Sequence, residues 1–224
     1  MKLIDLSMTI TEHWRWGYSR SLRHTLENGD DFRTSVLQLP AHAFTHVDTP
    51  LHCKQGAPAL EQLDVGCYSG EAAVIDLSDS KPDQEITVER IKQHAEHVKS
   101  GDIILLKTCW DTRRDPQTKE YWTDAPFVSE AAAVWLYEQK PKAVGFDFPQ
   151  DVILKQAATY VGCLPMSQSP THIHLLMKDI VLIEYLAGMS QITQKRIQFL
   201  ALPLKLAGVE GCPVRAVAID NWQE

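Results

Sequence analysis

The chain has 224 residues, of which 44% are hydrophobic and 23% charged, with a formal net charge of −7. That balance is ordinary for a globular protein, the length suits one domain over residues 1–224, and the acidity disfavours a nucleic-acid partner, which needs a basic stripe. No apolar run reaches the ~20 residues that a bilayer span requires, and five widely spaced cysteines with no Cys-x-x-Cys argue against a disulfide framework or zinc ribbon. The expectation is a protein with reduced thiols, cytoplasmic and not membrane-bound.

In chain order, residues 1–7 contain an early Asp5 and no small-residue cleavage site. They read as the start of a strand over 3–10, not as a signal peptide. Residues 13–18, His13-Trp14-Arg15-Trp16-Gly17-Tyr18, would put Trp14, Trp16 and Tyr18 on one face if extended. That face would line an aromatic substrate pocket, with Arg15 or His13 nearby, or pack on a subunit interface. Short apolar, β-branched runs predict strands over 34–39, 72–77, 102–108, 143–148, 180–186 and 214–219. Another run, 199–206, is demoted by Pro203 to an edge or a bulge. The pattern predicts a helix over 87–98, with Val88, Ile91, Ala95 and Val98 on one stripe and His94 and His97 outside it. A second, over 129–139, is capped by Ser129 and groups Ala132, Trp135 and Leu136. A short third helix is expected over 172–177. The polar stretches 78–85 and 113–124 read as surface loops. Strands outnumber helices, so the fold expected is a mixed α/β domain with substantial antiparallel sheet.

The densest chemistry lies in residues 41–52, Ala-His-Ala-Phe-Thr-His-Val-Asp-Thr-Pro-Leu-His. His42, His46, Asp48 and His52 share one parity, so an extended backbone would turn all four to one side. A helix would throw His46 and Asp48 about 200° apart, and Pro50 opposes a helix interior. Two imidazoles and a carboxylate suit zinc, manganese or iron, and a metal with open positions can generate hydroxide near neutral pH. Hydrolysis is the chemistry this suggests. Cys53 reads as a small packing residue. Farther along, Glu184 interrupts the apolar run 180–186, and a buried carboxylate there needs a cation, a partner or a proton. A metal and an ordinary ion pair are both open at this point.

These motifs resemble the cyclase family that contains bacterial kynurenine formamidase and isatin hydrolase. Its hallmark, His-x-Gly-Thr-His-x-Asp-x-Pro-x-His, is similar to residues 42–52. Its downstream His-x-x-Leu-Leu block, ending in a Glu twelve residues later, is similar to residues 172–184. Weaker echoes run from Ile4-Asp5-Leu6-Ser7 to Gly211-Cys212-Pro213-Val214-Arg215-Ala216, so the resemblance is collinear over nearly the whole chain. It implies a swivelling β/β/α-type fold. It implies His42, His46, Asp48, His172 and Glu184 as metal ligands and His52 as the catalytic histidine, holding one or two ions of zinc or manganese. It also implies a homo-oligomer, dimer or tetramer, in which neighbouring subunits help form the pocket. Three departures stand out. Phe44 replaces the motif's Gly, Gln150 stands where many members have Ser, and the Trp-Pro-Gly-Asp-like tract is replaced by residues 13–18. Phe44 therefore either fills space beside the metal or imposes a different backbone, and it joins Trp14 and Trp16 as a candidate substrate contact. The expected function is hydrolysis of a small amide or cyclic amide. The competing readings are a lactone hydrolase or cyclase/dehydratase on the same metal site, and a non-catalytic metal-containing protein that binds a small molecule.

Overall fold

Four of the apolar runs become the parallel centre of a large mixed sheet. The computed structural model describes residues 2–160 and 162–220. Among the described residues the strands are β1 (Lys2–Asp5), β2 (Ser19–His24), β3 (Thr34–Gln38), β4 (His46–Asp48), β5 (Ser69–Asp76), β6 (Glu85–Ile86), β7 (Ile103–Lys107), β8 (Phe127–Val128), β9 (Ala143–Phe146), β10 (Val181–Glu184), β11 (Arg196–Leu200), β12 (Gly211–Pro213) and β13 (Val217–Asp220). The helices are α1 (Val88–Lys92), α2 (Glu120–Thr123), α3 (Glu130–Glu138) and α4 (Pro170–His174). Nine strands form one sheet in the order β1-β13-β11-β5-β7-β9-β10-β4-β12. The central β5, β7, β9 and β10 are mutually parallel, and every outer pairing is antiparallel. The sheet curls: the chain leaving β1 meets the chain leaving β10, where Ala187 N donates to Leu6 O at 3.0 Å and Ser7 bridges Leu186.

Both faces of the parallel centre are covered, which is why its strands are apolar throughout instead of alternating. Ile103 and Leu105 of β7 face one core with Ile4, Val47 and Phe199. Ile104 and Leu106 face the other, with α1, α3, Trp110 and Trp122. The second core continues past Leu182 to the end of β10 and across to β4. There, side chains of the same parity are His46, Asp48 and Glu184 in place of aliphatics. The register sets them side by side, Glu184 opposite His46 and Leu182 opposite Asp48.

Some expectations change. The run 199–206 is not an edge. Its strand, β11, lies between β13 and β5, and Pro203 falls beyond it in a bridge to Val214. The stretch 113–124 is not only a surface loop, because it carries α2, whose Tyr121 and Trp122 are fully buried. The helix over 87–98 keeps its α-form only to Lys92, although Ile91 and Ala95 reach the core as the stripe required. Ser129 caps α3 by accepting from Ala132 N. β2, β4, β6, β8 and β12 had no signal strong enough to predict them. Among the described residues no helix is long and apolar enough to cross a membrane.

The packing is tight at Gly145 in β9, where an added Cβ would lie 2.6 Å from Leu105 Cδ2 and 3.1 Å from Leu186 Cδ1. Gly145→Ala is expected to destabilise the fold by about 1–3 kcal/mol through overpacking. Urea unfolding of the variant against the parent measures this, and an unchanged midpoint would mean that the two leucines move aside freely.

Candidate functional site

Three kinds of backbone carry the cluster of residues 42–52. His46 and Asp48 face one way because β4 is a strand, as the parity argument requires. His42 and His52 reach the same cavity differently, since the segment is not extended throughout. A turn over 41–45 brings in His42, and a short 3-10 turn, Pro50–His52, brings in His52. The turn before β4 depends on Phe44, whose φ of 56° is left-handed. That is the conformation a glycine adopts without cost, and a bulky residue holds it at about 1–3 kcal/mol. Tyr185, just after β10, has φ 55°. The Thr45 hydroxyl ties the two kinks together by donating to Tyr185 O at 2.6 Å while accepting from Met8 N at 2.8 Å.

Around Asp48 and Glu184, both buried, stand three imidazoles. His46 Nδ1 faces the carbonyl of Phe44 at 2.8 Å and donates to it, which leaves Nε2 to face Asp48 Oδ1 at 3.1 Å and Glu184 Oε2 at 3.7 Å. His172, on α4, donates from Nδ1 to Asp151 Oδ2 at 2.7 Å, so its Nε2 faces Asp48 Oδ2 and Glu184 Oε1, each at 3.8 Å. Asp151 is itself fixed by the Thr171 backbone N–H and hydroxyl. His42 lies between two carboxylates, with Nδ1 2.6 Å from Asp48 Oδ1 and Nε2 3.0 Å from Glu210 Oε1. Gly211 makes room for that ring, because a Cβ there would sit 2.7 Å from His42 Cε1. Gln150 donates to Glu184 Oε1, while its own carbonyl oxygen is buried without a partner.

The electrostatics follow from this crowding. Burial opposes a charge on His42, yet the Asp48 hydrogen bond and charge, with Glu210, push it up to about 9. Burial likewise opposes a charge on His172, and Asp151 outweighs it, again to about 9. Burial would raise Asp48, but His46 and His42 hold it well below the usual carboxylate range. Glu184 is pushed up, first by burial and then by the Asp48 charge. His52 stands exposed at the cavity mouth, its ring centroid 4.0 Å from that of His42 and 5.8 Å from that of His172. The surrounding protein withdraws water from its inner edge, and the neighbouring imidazoles repel a further proton, so it is pushed down to about 4. Its open edge tempers the first effect, and His42 and His172 keep the direction downward.

The donor set fits a divalent metal. Among the described residues neither buried carboxylate is ion-paired to a lysine or arginine. Three groupings, His42–His46–Asp48, Asp48–His52–His172 and His42–His52–Glu210, each converge closely enough to share an ion. Spacings of 3.1–3.8 Å between the His46 and His172 Nε2 atoms and the carboxylate oxygens match the edges of a polyhedron. Such edges are roughly 3.4 Å when ligands lie ~2.0–2.2 Å from a shared ion.

The cavity in front of this nest has a volume of about 510 Å³. Ile153, Leu154, Leu164 and Met166 line it, as do Arg15, Cys53 and Tyr185. Trp14, Trp16 and Phe44 are not among the described residues that line it. They lie behind Tyr185 in a buried aromatic cluster, with Trp16 4.7 Å from Phe44 and 5.5 Å from Tyr185, and Trp14 5.1 Å from Trp122. Sequence reasoning gave no sign of Asp151, Glu210 or Tyr185. Asp151 could have been suspected from its place beside Gln150, ahead of a Thr-His pair it caps from 20 residues away.

Comparison with known proteins agrees with the geometry. The family model for Cyclase, described as "Putative cyclase", matches residues 4–150. The kynurenine formamidase of Salinibacter ruber is 28% identical, with 98% of each chain covered. Cyclase-like protein 2 of Arabidopsis thaliana is 28% identical over 98% of this chain and 79% of that protein. Among solved structures, isatin hydrolase A from Labrenzia aggregata superposes with a TM-score of 0.80 at 21% identity, covering 99% of this chain and 94% of the other.

Two expectations arise. Phe44→Gly removes a buried ring, which costs about 3–5 kcal/mol. It also relieves the left-handed strain, so a net loss of about 2–4 kcal/mol is expected in denaturant unfolding. An equal or raised stability would show that the strain dominates. The second concerns pH. A histidine whose pKa rises above 6.5 on folding holds its proton more tightly in the folded chain, so its stabilising effect is complete below pH 6.5 and disappears as pH rises through the folded value. With His42 and His172 near 9, the chelator-stripped protein is expected to lose thermal stability between pH 6.5 and 9. Metal affinity should rise over the same interval as those protons leave. A flat Tm across that range would exclude protonated His42 and His172.

Proposed function

This chain belongs to the cyclase family, and on that premise we propose that it is a metal-dependent hydrolase of small amides or cyclic amides. His42, His46, Asp48, His172 and Glu184 hold one or two divalent ions, zinc or manganese. The observation that carries the reading is the convergence of these five side chains on one face of the β4–β10 pair, with His52 beside them at the cavity mouth. A bound cation supplies Lewis acidity toward the amide carbonyl and acidifies water at neutral pH.

The chain's own residues do the rest. Asp151 and the Phe44 carbonyl hold the Nδ1 protons of His172 and His46, so both rings present Nε2 lone pairs inward. Gln150 orients Glu184. His52, unprotonated at neutral pH because its pKa is pushed down to about 4, accepts a proton from water and delivers it to the departing nitrogen. Once protonated, such a group is a strong acid toward a leaving amine. The aromatic cluster behind Tyr185 keeps the wall of the nest rigid and dry. A homo-oligomer, dimer or tetramer, is supported by the exposed apolar side chains of the β2–β3 hairpin, Leu22, Val36 and Leu37, for which a second subunit is a natural cover. Five unbridged cysteines support a reducing, cytoplasmic setting.

The test is a panel of formyl anilides, cyclic amides and lactones assayed with zinc and with manganese, alongside elemental analysis of the purified protein. Full activity in metal-free protein would overturn the reading. So would tight ligand binding without turnover on any member. His52→Ala is expected to retain its metal and lose turnover on the order of 10²–10⁴-fold. The parent's rate should fall as pH drops through the His52 value of about 4, and this acidic limb should vanish in the variant. Glu184→Ala is expected to lower metal content, whereas an unchanged stoichiometry would leave Glu184 in a structural ion pair.

A further inference from the structure

His42 turns its two nitrogens to different carboxylates. Nδ1 faces Asp48 in the nest at 2.6 Å, whereas Nε2 lies 3.0 Å from Glu210 Oε1. His52 stands on the same side, its ring centroid 4.0 Å from that of His42. One ring nitrogen each of His42 and His52 and one oxygen of Glu210 all lie within 4.8 Å of one another. A single buried residue, Thr49, sets this spacing. Its carbonyl accepts the His52 backbone N–H at 2.9 Å, and its own N–H and hydroxyl donate to Glu210 O at 2.9 and 3.0 Å. Among the described residues Glu210 pairs with no lysine or arginine, and no group hydrogen-bonds the His52 ring. The trio is also open to water, since the His42 and Glu210 side chains keep 26% and 39% of their surface and His52 is exposed. Two imidazoles and a carboxylate with room for a water are a donor set that takes zinc.

We propose that His42 Nε2, His52 and Glu210 form a further metal site at the cavity mouth, joined to the nest only through the His42 ring, and that zinc in excess fills it and halts turnover. Binding there is an exchange. Zinc gains bonds to Nε2, to one nitrogen of His52 and to a Glu210 oxygen, and the proton that Nε2 shares with Glu210 leaves to solvent. The 3.0 Å between Nε2 and Oε1 is already close to the edge of roughly 3.4 Å that two ligands of one zinc ion span, so a small adjustment admits the ion. The inhibitory half rests on the proton-acceptor role given to His52 in the amide-hydrolase reading, because a nitrogen bonded to zinc accepts no proton from water. The site itself rests on the geometry alone. Imidazole donors bind zinc more tightly than manganese, so manganese in excess leaves the mouth empty.

The test has a binding arm and a turnover arm. Calorimetric titration with zinc of the metal-loaded protein, dialysed free of loosely held ions, is expected to show one weaker equivalent per chain that manganese does not give. Glu210→Gln and His52→Ala should each weaken it about 10–100-fold, since losing a ligand costs no less than losing an outer-shell partner. Glu184→Ala should keep it. In the second arm, zinc beyond saturation should inhibit turnover of the best amide in the panel, with an inhibition constant equal to the weak dissociation constant. Glu210→Gln, measured against its own uninhibited rate, should raise that constant by the same factor. No weak equivalent in the parent overturns the proposal, and this outcome needs no variant to fold. A weak equivalent kept by Glu210→Gln and His52→Ala but lost in Glu184→Ala also overturns it, by placing the ion in the nest. Zinc bound at the mouth with turnover unchanged overturns the inhibitory role, and with it His52 as the proton acceptor. A weak equivalent that Glu210→Gln abolishes, with no turnover of any amide, upholds the mouth site and overturns the hydrolase reading instead.

Discussion

Asp48 and Glu184 put two negative charges on neighbouring antiparallel strands, almost wholly out of water. Left alone, such a pair would not ionise together, and the upward shift of Glu184 is the sign of that conflict. The surroundings answer to it. Three imidazoles gather on the pair, and two of these draw raised pKa values from it or from the acids behind them. Outside them stands a second ring of acceptors and donors, Asp151, Glu210, Gln150 and the Phe44 carbonyl, each setting one ring or one oxygen. A divalent ion would resolve the conflict with less strain than protons do, because it neutralises both carboxylates at once and releases the imidazoles to be neutral.

The sheet supplies the precision this arrangement needs. Cross-strand register fixes Glu184 against His46 within the rigidity of a paired strand, and the parallel centre beside it is buried on both faces. The two left-handed residues, Phe44 and Tyr185, stand at the margins of this pair, and the hydroxyl of Thr45, which follows Phe44, donates to Tyr185 O. Strain at those points is sustained because the aromatic rings they carry pack together through Trp16, which lies within 5.5 Å of both. The residue that departs from the family hallmark is therefore tied to the other unusual tract of the sequence: Phe44 and the segment 13–18 complete one another.

Much of this was legible in the residues themselves. The parallel centre showed as plain apolar runs, because strands buried on both faces need no polar alternation. The cluster at 42–52 showed through its spacing, although parity explains only His46 and Asp48, and a kink at Phe44 and a turn at Pro50 do the rest. β4 itself was hidden, being three residues long and made largely of the polar groups that a strand pattern excludes. Tyr121 and Trp122 were masked by charged neighbours on either side. Trp14 and Trp16 declared an aromatic face, but not whether it met a ligand or the core. Asp151 and Glu210 draw their meaning from partners distant in the chain, and local sequence carries no record of them.

The cavity has two unlike halves. His46, Asp48, Glu184 and His172 stand on paired strands and on one helix, whereas the lining residues Ile153, Leu154 and Met166 stand on short 3-10 turns. Those turns stand outside the hydrogen-bond ladder of the sheet, although Ile153 and Leu154 are buried and Leu154 packs into the core. The two sets of lining residues are thus carried by different kinds of backbone. Such a scaffold can keep one reaction while drifting between substrates of different shape, which gives duplicated copies of the gene an easy route to divergence.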